Sequence, residues 1–273
     1  NPLRATTYGT GEMIADAFGR GCREFLIGIG GSATNDAGVG MLRALGFRFL
    51  DAEGAELVGG GEILEHIYSI DDSGALPSLR EATFRVACDV TNPLYGPEGA
   101  AYVFAPQKGA DEAMVERLDA GLKSFAEVVK QYNGEDMATL SGAGAAGGLG
   151  GGIKALLGAH LERGVDMVLE AIRFADIIKE CDLVVTGEGR LDRQTMMGKT
   201  PSGVLQMAKS QGIPCVAIGG AIEECKELEQ SGFAVMLSVT PEDMPLAQAM
   251  RREVAMANVE RAAEQIARLL SCK

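Results

Sequence analysis

The chain has 273 residues, 47% of them hydrophobic and 23% charged, which is typical of a globular enzyme of one or two domains. Its net charge of −13 and its lack of tryptophan exclude a nucleic-acid partner, since such partners are bound by basic and aromatic surfaces. The sequence contains neither an apolar run of membrane-spanning length nor a signal-peptide pattern, so we expect a cytoplasmic protein with no membrane partner. With His66 and His160 as its two histidines, a histidine-rich metal centre is excluded.

A glycine-rich polar loop follows the first predicted strand. A helix is predicted over 12–20 and a strand over 25–29, and the loop Gly28–Gly38 then leads into an apolar segment over 39–45. Backbone N–H groups converge in such a loop before a helix, and the helix dipole favours negative charge. The loop therefore predicts a site for a small anionic molecule, with Asp36 available to bind a metal or accept a proton.

The same loop also allows a dinucleotide interpretation. Gly28, Gly30 and Ala33 match the G-x-G-x-x-A fingerprint, and Asp51 follows the next predicted strand at the spacing of a ribose-binding acid. Against this interpretation, the polar run from Ser32 to Asp36 stands where the fingerprint requires a helix to begin. An NAD(P)-dependent oxidoreductase therefore stays open as the alternative.

Two further polar clusters follow in the middle of the chain. The predicted strand 84–88 runs into Asp89, Thr91 and Asn92, which are candidate ligands or members of an Asx-type turn before Pro93. Lys108 follows the apolar segment 102–104. A long helix is predicted over 111–132, a glycine-rich stretch over 142–152 and a helical region over 153–179.

The last third predicts a parallel sheet with helices on both faces. Apolar runs at 182–186, 214–218 and 233–239 alternate with helical segments at 202–210, 223–231 and 245–270. Ligands of such sheets bind beyond the carboxyl ends of the strands, where Gly187–Asp192 lies. Glu188 and Asp192 could hold Mg²⁺, Arg190 could bind an anion, and Lys199 could reach a phosphate; the alternative is a turn with helix-capping acids. We place the domain boundary so that 1–178 form a mixed α/β lobe and 179–273 part of a Rossmann-like lobe.

Five motifs, in this order, resemble those of the bacterial glycerate kinases. They are 27–36 (IGIGGSATND), 86–94 (VACDVTNPL), 106–110 (PQKGA), 142–148 (GAGAAGG) and 186–192 (TGEGRLD). The resemblance extends over almost the whole chain. It implies two α/β lobes, one of them Rossmann-like, and transfer of the γ-phosphoryl group of ATP to the 2- or 3-hydroxyl of D-glycerate. Members of the family begin with a further region that is absent from this sequence, so we expect a shortened chain whose Rossmann-like sheet that region would complete.

The needs of phosphoryl transfer give particular residues the following roles as a hypothesis, in which the sequence does not decide which acid is the base and which binds metal. Asp36 and Asp89 are candidates for base or metal ligand, Lys108 and Arg190 neutralise charge on the reactants, and Glu188 and Asp192 bind Mg²⁺. The expected nucleotide-binding residues are Gly30, Gly31, Ser32, Thr34, Asn35, Thr91, Asn92, Gly187 and Lys199. The expected partners are ATP and D-glycerate, with a homodimer as the candidate assembly; a non-catalytic fragment is the remaining alternative.

Overall fold

The computed structural model describes residues 1–271, except for the side chains of 197 and 269–271. The chain divides into two compact units, of which the first is Asn1–Gly164 and the second begins at Val165. We placed the boundary later, after residue 178. The structure places it earlier because Leu169 and Ile178 belong to the same buried cluster as Leu205, in the second unit.

The bounds of the regular elements follow the chain order. In the first unit they are α1 (Tyr8–Gly19), β1 (Glu24–Gly28), α2 (Val39–Ala44), β2 (Arg48–Leu50), β3 (Ser69–Asp71), β4 (Thr83–Ala87), α3 (Ala100–Phe104), α4 (Glu112–Asn133), α5 (Leu149–Leu157) and β5 (His160–Glu162). From the boundary onward they are α6 (Gly164–Ala171), α7 (Phe174–Ile178), β6 (Val184–Leu191), α8 (Thr200–Ser210), β7 (Cys215–Ile222), α9 (Lys226–Glu229), β8 (Val235–Ser238), α10 (Leu246–Ala249) and α11 (Arg252–Ser271). None of the helices within 1–271 has the length and apolar character needed to cross a membrane.

The first unit is built on a parallel sheet with the strand order β1-β4-β5. Phe25 pairs with Phe84 in the register of β1 and β4, and their rings stack with centroids 5.0 Å apart. Burying each of these side chains contributes about 1.5–3 kcal/mol. The predicted strand near 47–50 exists, but β2 pairs antiparallel with β3 in a separate two-stranded sheet.

Helix α4 closes the core of the first unit. Its N-cap Asp111 accepts a hydrogen bond from the N–H of Met114, which satisfies one of the free donors of the first turn. Leu118, Leu122 and Phe125 recur at helical spacing and are fully buried. The helix forms as predicted because the capping residue and the apolar stripe agree. The predicted helical region 153–179 is instead divided, because β5 follows α5 and pairs with β4.

The second unit contains the parallel sheet β6-β7-β8, with the two connections through α8 and α9. This confirms the α/β fold class and the parallel sheet predicted for the last third. Gly187 on β6 leaves no room for a side chain, since a β-carbon there would lie 2.6 Å from Ile218. Two helices are shorter than predicted: α9 covers four residues, and the terminal segment is split into α10 and α11.

Candidate active site

A cleft of about 350 Å³ lies where β1 and β4 of the first unit end. Gly28 pairs with Ala87 at the carboxyl ends of these neighbouring parallel strands, so the loops that follow them meet at one edge of the sheet. The 28–32 segment forms one wall, and the rest of the lining comes from 87–90, from Phe104, Gln107 and Lys108, and from Ala145 and Ala146. Its charged lining residues are Asp89 and Lys108, so the cleft offers one cation and one carboxylate with formal charges that cancel.

Lys108 connects this cleft to the glycine-rich loop. Its ammonium group donates a hydrogen bond to the carbonyl oxygen of Thr34 (2.6 Å) and lies 3.5 Å from Ser32 Oγ. Removal from water lowers the pKa of Lys108 to about 8, although the nearby Asp36 carboxylate opposes that shift. Lys108 is therefore a partly desolvated cation in the cleft, with a pKa close to the physiological range.

Asp89 is exposed at the end of β4 and is held by one of its oxygens. Oδ1 accepts a hydrogen bond from the backbone N–H of Gly164 at 2.8 Å. That anchor fixes the carboxylate on the cleft wall while Oδ2 remains available to a ligand. The structure thus brings together Asp89, Lys108 and the predicted loop residues Gly30, Gly31 and Ser32.

Asp36 has a different environment from the one that the sequence led us to expect. It is fully buried, and its Oδ2 accepts hydrogen bonds from the N–H and the hydroxyl of Thr7 (2.8 and 2.9 Å) and from the N–H of Gly40 (3.2 Å). Its Oδ1 accepts one from the N–H of Gly38 at 3.1 Å. Burial raises the pKa of this carboxyl, and the four hydrogen bonds oppose the rise. This geometry makes Asp36 the acceptor that joins the starts of α1 and α2, and its expected role as base or metal ligand stays a prediction.

The rest of the polar loop divides between surface and interior. Thr34 lines a smaller recess of about 240 Å³, together with Thr6 and Thr10, and its hydroxyl lies 3.0 Å from Ser32 Oγ. Asn35, predicted to bind nucleotide, is fully buried, and neither atom of its side-chain amide has a hydrogen-bond partner among the described residues. It therefore lies in the interior of the unit.

The predicted ligands Thr91 and Asn92 belong to the turn after β4. Asn92 Nδ2 donates to the carbonyl oxygen of Glu98 at 2.9 Å, and Asn92 O accepts from the N–H of Gly144 at 3.0 Å. Thr91 is exposed. Asn92 therefore joins this turn to the glycine-rich segment near 144, and the ligand role of Thr91 and Asn92 stays a prediction.

In the second unit, the two predicted metal ligands converge on Thr195. Glu188 Oε1 accepts a hydrogen bond from the Thr195 hydroxyl, and Asp192 Oδ1 accepts one from the Thr195 N–H at 3.2 Å. Asp192 also caps the following 3₁₀ helix, with the reciprocal bond from its own N–H to Thr195 Oγ1 at 3.0 Å. Within 1–271, no group of three histidine, cysteine, aspartate or glutamate side chains is placed to hold a metal ion. Two neighbouring carboxylates still fit Mg²⁺, which commonly takes its other ligands from water and phosphate.

The basic residues near these acids are already paired. Arg190 is exposed, and its guanidinium lies 2.5 Å from Glu223 Oε2, a contact that raises its pKa. Lys199 is the N-cap of α8, with its ammonium 3.8 Å from Asp192 Oδ1. Gly187 lines a recess of about 340 Å³ in this unit, beside Glu188. The predicted residues thus form two groups, one in each unit.

Three groups that hold the predicted carboxylates were not predicted from the sequence: Thr7 and the N–H of Gly164 in the first unit, and Thr195 in the second. The spacing Asp192-x-x-Thr195 is a capping signature that could have identified Thr195. Thr7 and Gly164 carry no such signal, because each acts on an aspartate far away in the chain.

The dinucleotide interpretation of the loop is not supported. Helix α2 begins at Val39, after Ala33 rather than within the fingerprint, so its N-terminus does not cradle a pyrophosphate at Gly30. Asp51 follows β2, which lies outside the parallel sheet, and its Oδ1 accepts the N–H groups of Glu53 and Ala55 in a turn. The fingerprint match is therefore coincidental.

Parallel sheets whose carboxyl ends carry glycine-rich loops, a partly desolvated lysine and carboxylates are typical of α/β enzymes that bind small anionic molecules. A model of the glycerate kinase family matches residues 1–271. Glycerate kinase from Bacillus subtilis (strain 168) is 47% identical over 98% of this chain and 70% of its own length. Glycerate 2-kinase from Escherichia coli (strain K12) is 44% identical over 99% of this chain and 71% of its own length.

A solved structure shows the same likeness. The crystal structure of a protein assigned as glycerate kinase 2 from Salmonella typhimurium LT2 matches 100% of this chain and 71% of its own, with a TM-score of 0.84 and 43% identity. The chain belongs to the glycerate kinase family. The resemblance of the five motifs is thereby confirmed, and membership makes the chain a kinase.

Proposed function

We propose that this chain catalyses transfer of the γ-phosphoryl group of ATP to a hydroxyl of D-glycerate. Family membership supports the reaction. We assign the binding site of D-glycerate, the phosphoryl acceptor, to the cleft of the first unit, because its charged lining residues are Lys108 and Asp89. A hydroxy acid presents one carboxylate and a reacting hydroxyl, which match one cation and one proton acceptor. A triphosphate would place several negative charges against a single lysine.

In this proposal Lys108 binds the carboxylate of glycerate, assisted by the N–H groups of Gly30, Gly31 and Ser32. Asp89, anchored through Oδ1, accepts the proton of the reacting hydroxyl at Oδ2. The hydroxyl oxygen forms the new bond to phosphorus as the bond between that phosphorus and the β–γ bridging oxygen breaks, and ADP leaves. Such transfer depends chiefly on positioning and on neutralising charge.

We assign the nucleotide side of the reaction to the second unit. Glu188 and Asp192 would hold Mg²⁺ beside Thr195, and the ion when bound would neutralise charge on the phosphates. Gly187 lines the neighbouring recess, and Lys199, with its ammonium 3.8 Å from Asp192 Oδ1, would bind a phosphate group of the nucleotide. Arg190 would have to exchange Glu223 for an anion. Thr34, Asn35, Thr91 and Asn92 belong to the first unit, so the nucleotide-binding role that the sequence predicts for them lies outside this assignment.

The experiment measures ADP formation by the 273-residue chain with ATP, Mg²⁺ and D-glycerate, and identifies the product by mass spectrometry. Fragmentation of the product distinguishes the 2- from the 3-phosphate. We expect Lys108→Met to raise KM for D-glycerate by tenfold or more and Asp89→Asn to lower kcat by about 10²-fold. Matched controls are Lys123→Met on α4 and Asp16→Asn on α1, which change exposed residues away from the cleft. A folded chain that forms no ADP with D-glycerate would refute the proposal.

Two broader inferences accompany this function. A cytoplasmic location fits the use of ATP, and cell fractionation tests it. Assembly as a homodimer is tested by light scattering of the purified chain over a range of concentrations, where a constant monomer mass would exclude it.

A further inference from the structure

Three successive residues of the glycine-rich segment have a left-handed backbone. The φ angles are +53° at Ala146, +70° at Gly147 and +89° at Gly148. Glycine adopts such angles freely, whereas a β-carbon makes them unfavourable. Alanine therefore occupies the first of three positions whose backbone angles would be free of strain with glycine.

Space explains why the other two positions are glycine. A β-carbon on Gly147 would collide with the carbonyl oxygen of Thr34, and one on Gly148 would lie 2.9 Å from Leu122 and 3.0 Å from Ala37. Gly147 and Gly148 thus pack closely against the 34–37 loop, and Gly148 also packs against the buried side chain of Leu122. The N–H of Ala37 donates to Gly147 O at 3.1 Å and holds the two segments together.

Ala146 differs from these two because it lines the cleft of the first unit. It is partly buried, while its neighbour Ala145 is 3% exposed. Strained backbone in a non-glycine residue persists where the surroundings enforce it, and it concentrates at functional sites. Here the neighbouring glycines enforce the turn, and of the two alanines that line the cleft, Ala145 and Ala146, the strained one is also the less buried.

We propose that the methyl group of Ala146 forms a steric wall of the acceptor site and limits the length of the hydroxy acid that the cleft admits. The inference rests on the proposed function, because it takes the cleft of the first unit as the acceptor site. The wall restricts the site to a three-carbon acid and disfavours homologues that carry one more hydroxymethylene group. The backbone strain at Ala146 accompanies this selectivity.

The test compares kcat/KM for D-glycerate and for D-erythronate, its four-carbon homologue, in wild type and Ala146→Gly. One carbon unit in a pocket is commonly discriminated by about 10–200-fold, so we expect the erythronate-to-glycerate ratio to rise by about tenfold. Relief of the strain should raise the Tm by about 2–4 °C. Ser78→Gly is the matched control, since Ser78 is exposed with φ +61° and lies outside the cleft lining. It should raise the Tm similarly and leave the ratio unchanged.

Ala146→Asn tests the opposite direction. Asparagine tolerates left-handed angles but places a larger side chain in the cleft, so kcat/KM should fall for both acids. Three results would each overturn the proposal: a higher Tm with an unchanged ratio, a lower Tm for Ala146→Gly, or a change in KM for ATP instead of the acid.

A binding measurement separates this proposal from the function on which it rests. If wild type phosphorylates neither acid, the proposed function is refuted. The increase in Tm that each acid induces on binding then tests the steric wall separately. A larger shift with erythronate in Ala146→Gly than in wild type supports the steric wall, and equal shifts refute it.

Discussion

Replacing Asp36 by asparagine should destabilise the protein. The side chain keeps its shape, but one carboxylate oxygen becomes an NH₂ group that donates hydrogen bonds. At this fully buried position all four partners of the carboxylate are donors: the N–H and hydroxyl of Thr7 and the N–H groups of Gly38 and Gly40. The Thr7 hydroxyl cannot reverse its role at no cost, since its oxygen already accepts the N–H of Met41 at 2.8 Å.

The magnitude follows from these partners. The better of the two amide orientations places the asparagine oxygen at Oδ2, where three donors converge, and its NH₂ group against the N–H of Gly38. Two buried donors then face each other without an acceptor, at about 1–3 kcal/mol each. Burying a neutral amide instead of a carboxylate offsets part of this cost. We expect the free energy of unfolding to fall by about 2–5 kcal/mol, a large share of the roughly 5–15 kcal/mol of a typical domain.

The assay is equilibrium urea unfolding at pH 7, followed by circular dichroism. Asp51→Asn is the matched control, because Asp51 uses Oδ1 alone to accept the N–H groups of Glu53 and Ala55 in an exposed turn. Asparagine can accept both, so the control should lose less than about 1 kcal/mol. If Asp36→Asn unfolds like wild type but has lost turnover, Asp36 takes part in the chemistry and our structural explanation is refuted.

Three further predictions concern pH, an ion pair and a close contact. The pKa of Lys108 is about 8, and in the proposed function its cation binds the substrate carboxylate, so kcat/KM for D-glycerate should fall as the pH rises through 8. Arginine stays charged in this range, so Lys108→Arg should abolish that fall. A flat wild-type pH profile would contradict the proposed role of Lys108 in binding the carboxylate. Arg85→Met should remove the pair of hydrogen bonds between β4 and Glu162 (2.9 and 2.6 Å) and cost about 1 kcal/mol at pH 7. Since Arg85 lowers the pKa of Glu162, this stability is present above pH 4.5 and is lost as the pH falls through the folded-state pKa, so urea unfolding at pH 3 should show a smaller difference. Gly147→Ala should lower the Tm by more than Ala146→Gly raises it, because the new β-carbon adds a collision with Thr34 O to the unfavourable backbone angle. A Tm equal to that of wild type would show that the 34–37 loop moves to make room for the β-carbon.

Local signals in the sequence were enough to predict most elements of the fold. The cap Asp111 with the stripe Leu118, Leu122 and Phe125 predicts α4, and continuous apolar runs predict β6 and β7. The three-residue strand β5 was missed because its pairing with β4 is a long-range contact that no local pattern encodes. The division of the terminal segment into α10 and α11 was also missed.

The predicted site residues lie together in the structure where they follow neighbouring parallel strands. Asp89 and Lys108 share a cleft with the 28–32 loop because parallel neighbours end at one edge of the sheet. The sequence could not show that Asp36 is buried and Asp89 exposed, since both are aspartates in a polar loop that follows a strand. Burial separates them, and burial is decided by Thr7 and the start of α1.

The sequence by itself determined the family, the α/β class and the residue types available for the chemistry, because these depend on motif order and on local periodicity. Tertiary structure decided which of these residues are buried and which line a cleft. Packing of α1 against α2 buries Asp36 behind four donors, and the meeting of β1 with β4 exposes Asp89 and Lys108 in one cleft. Hydrogen-bond satisfaction in the interior and strand order in the sheet are properties of the folded chain, and they assign different roles to residues that look alike in sequence.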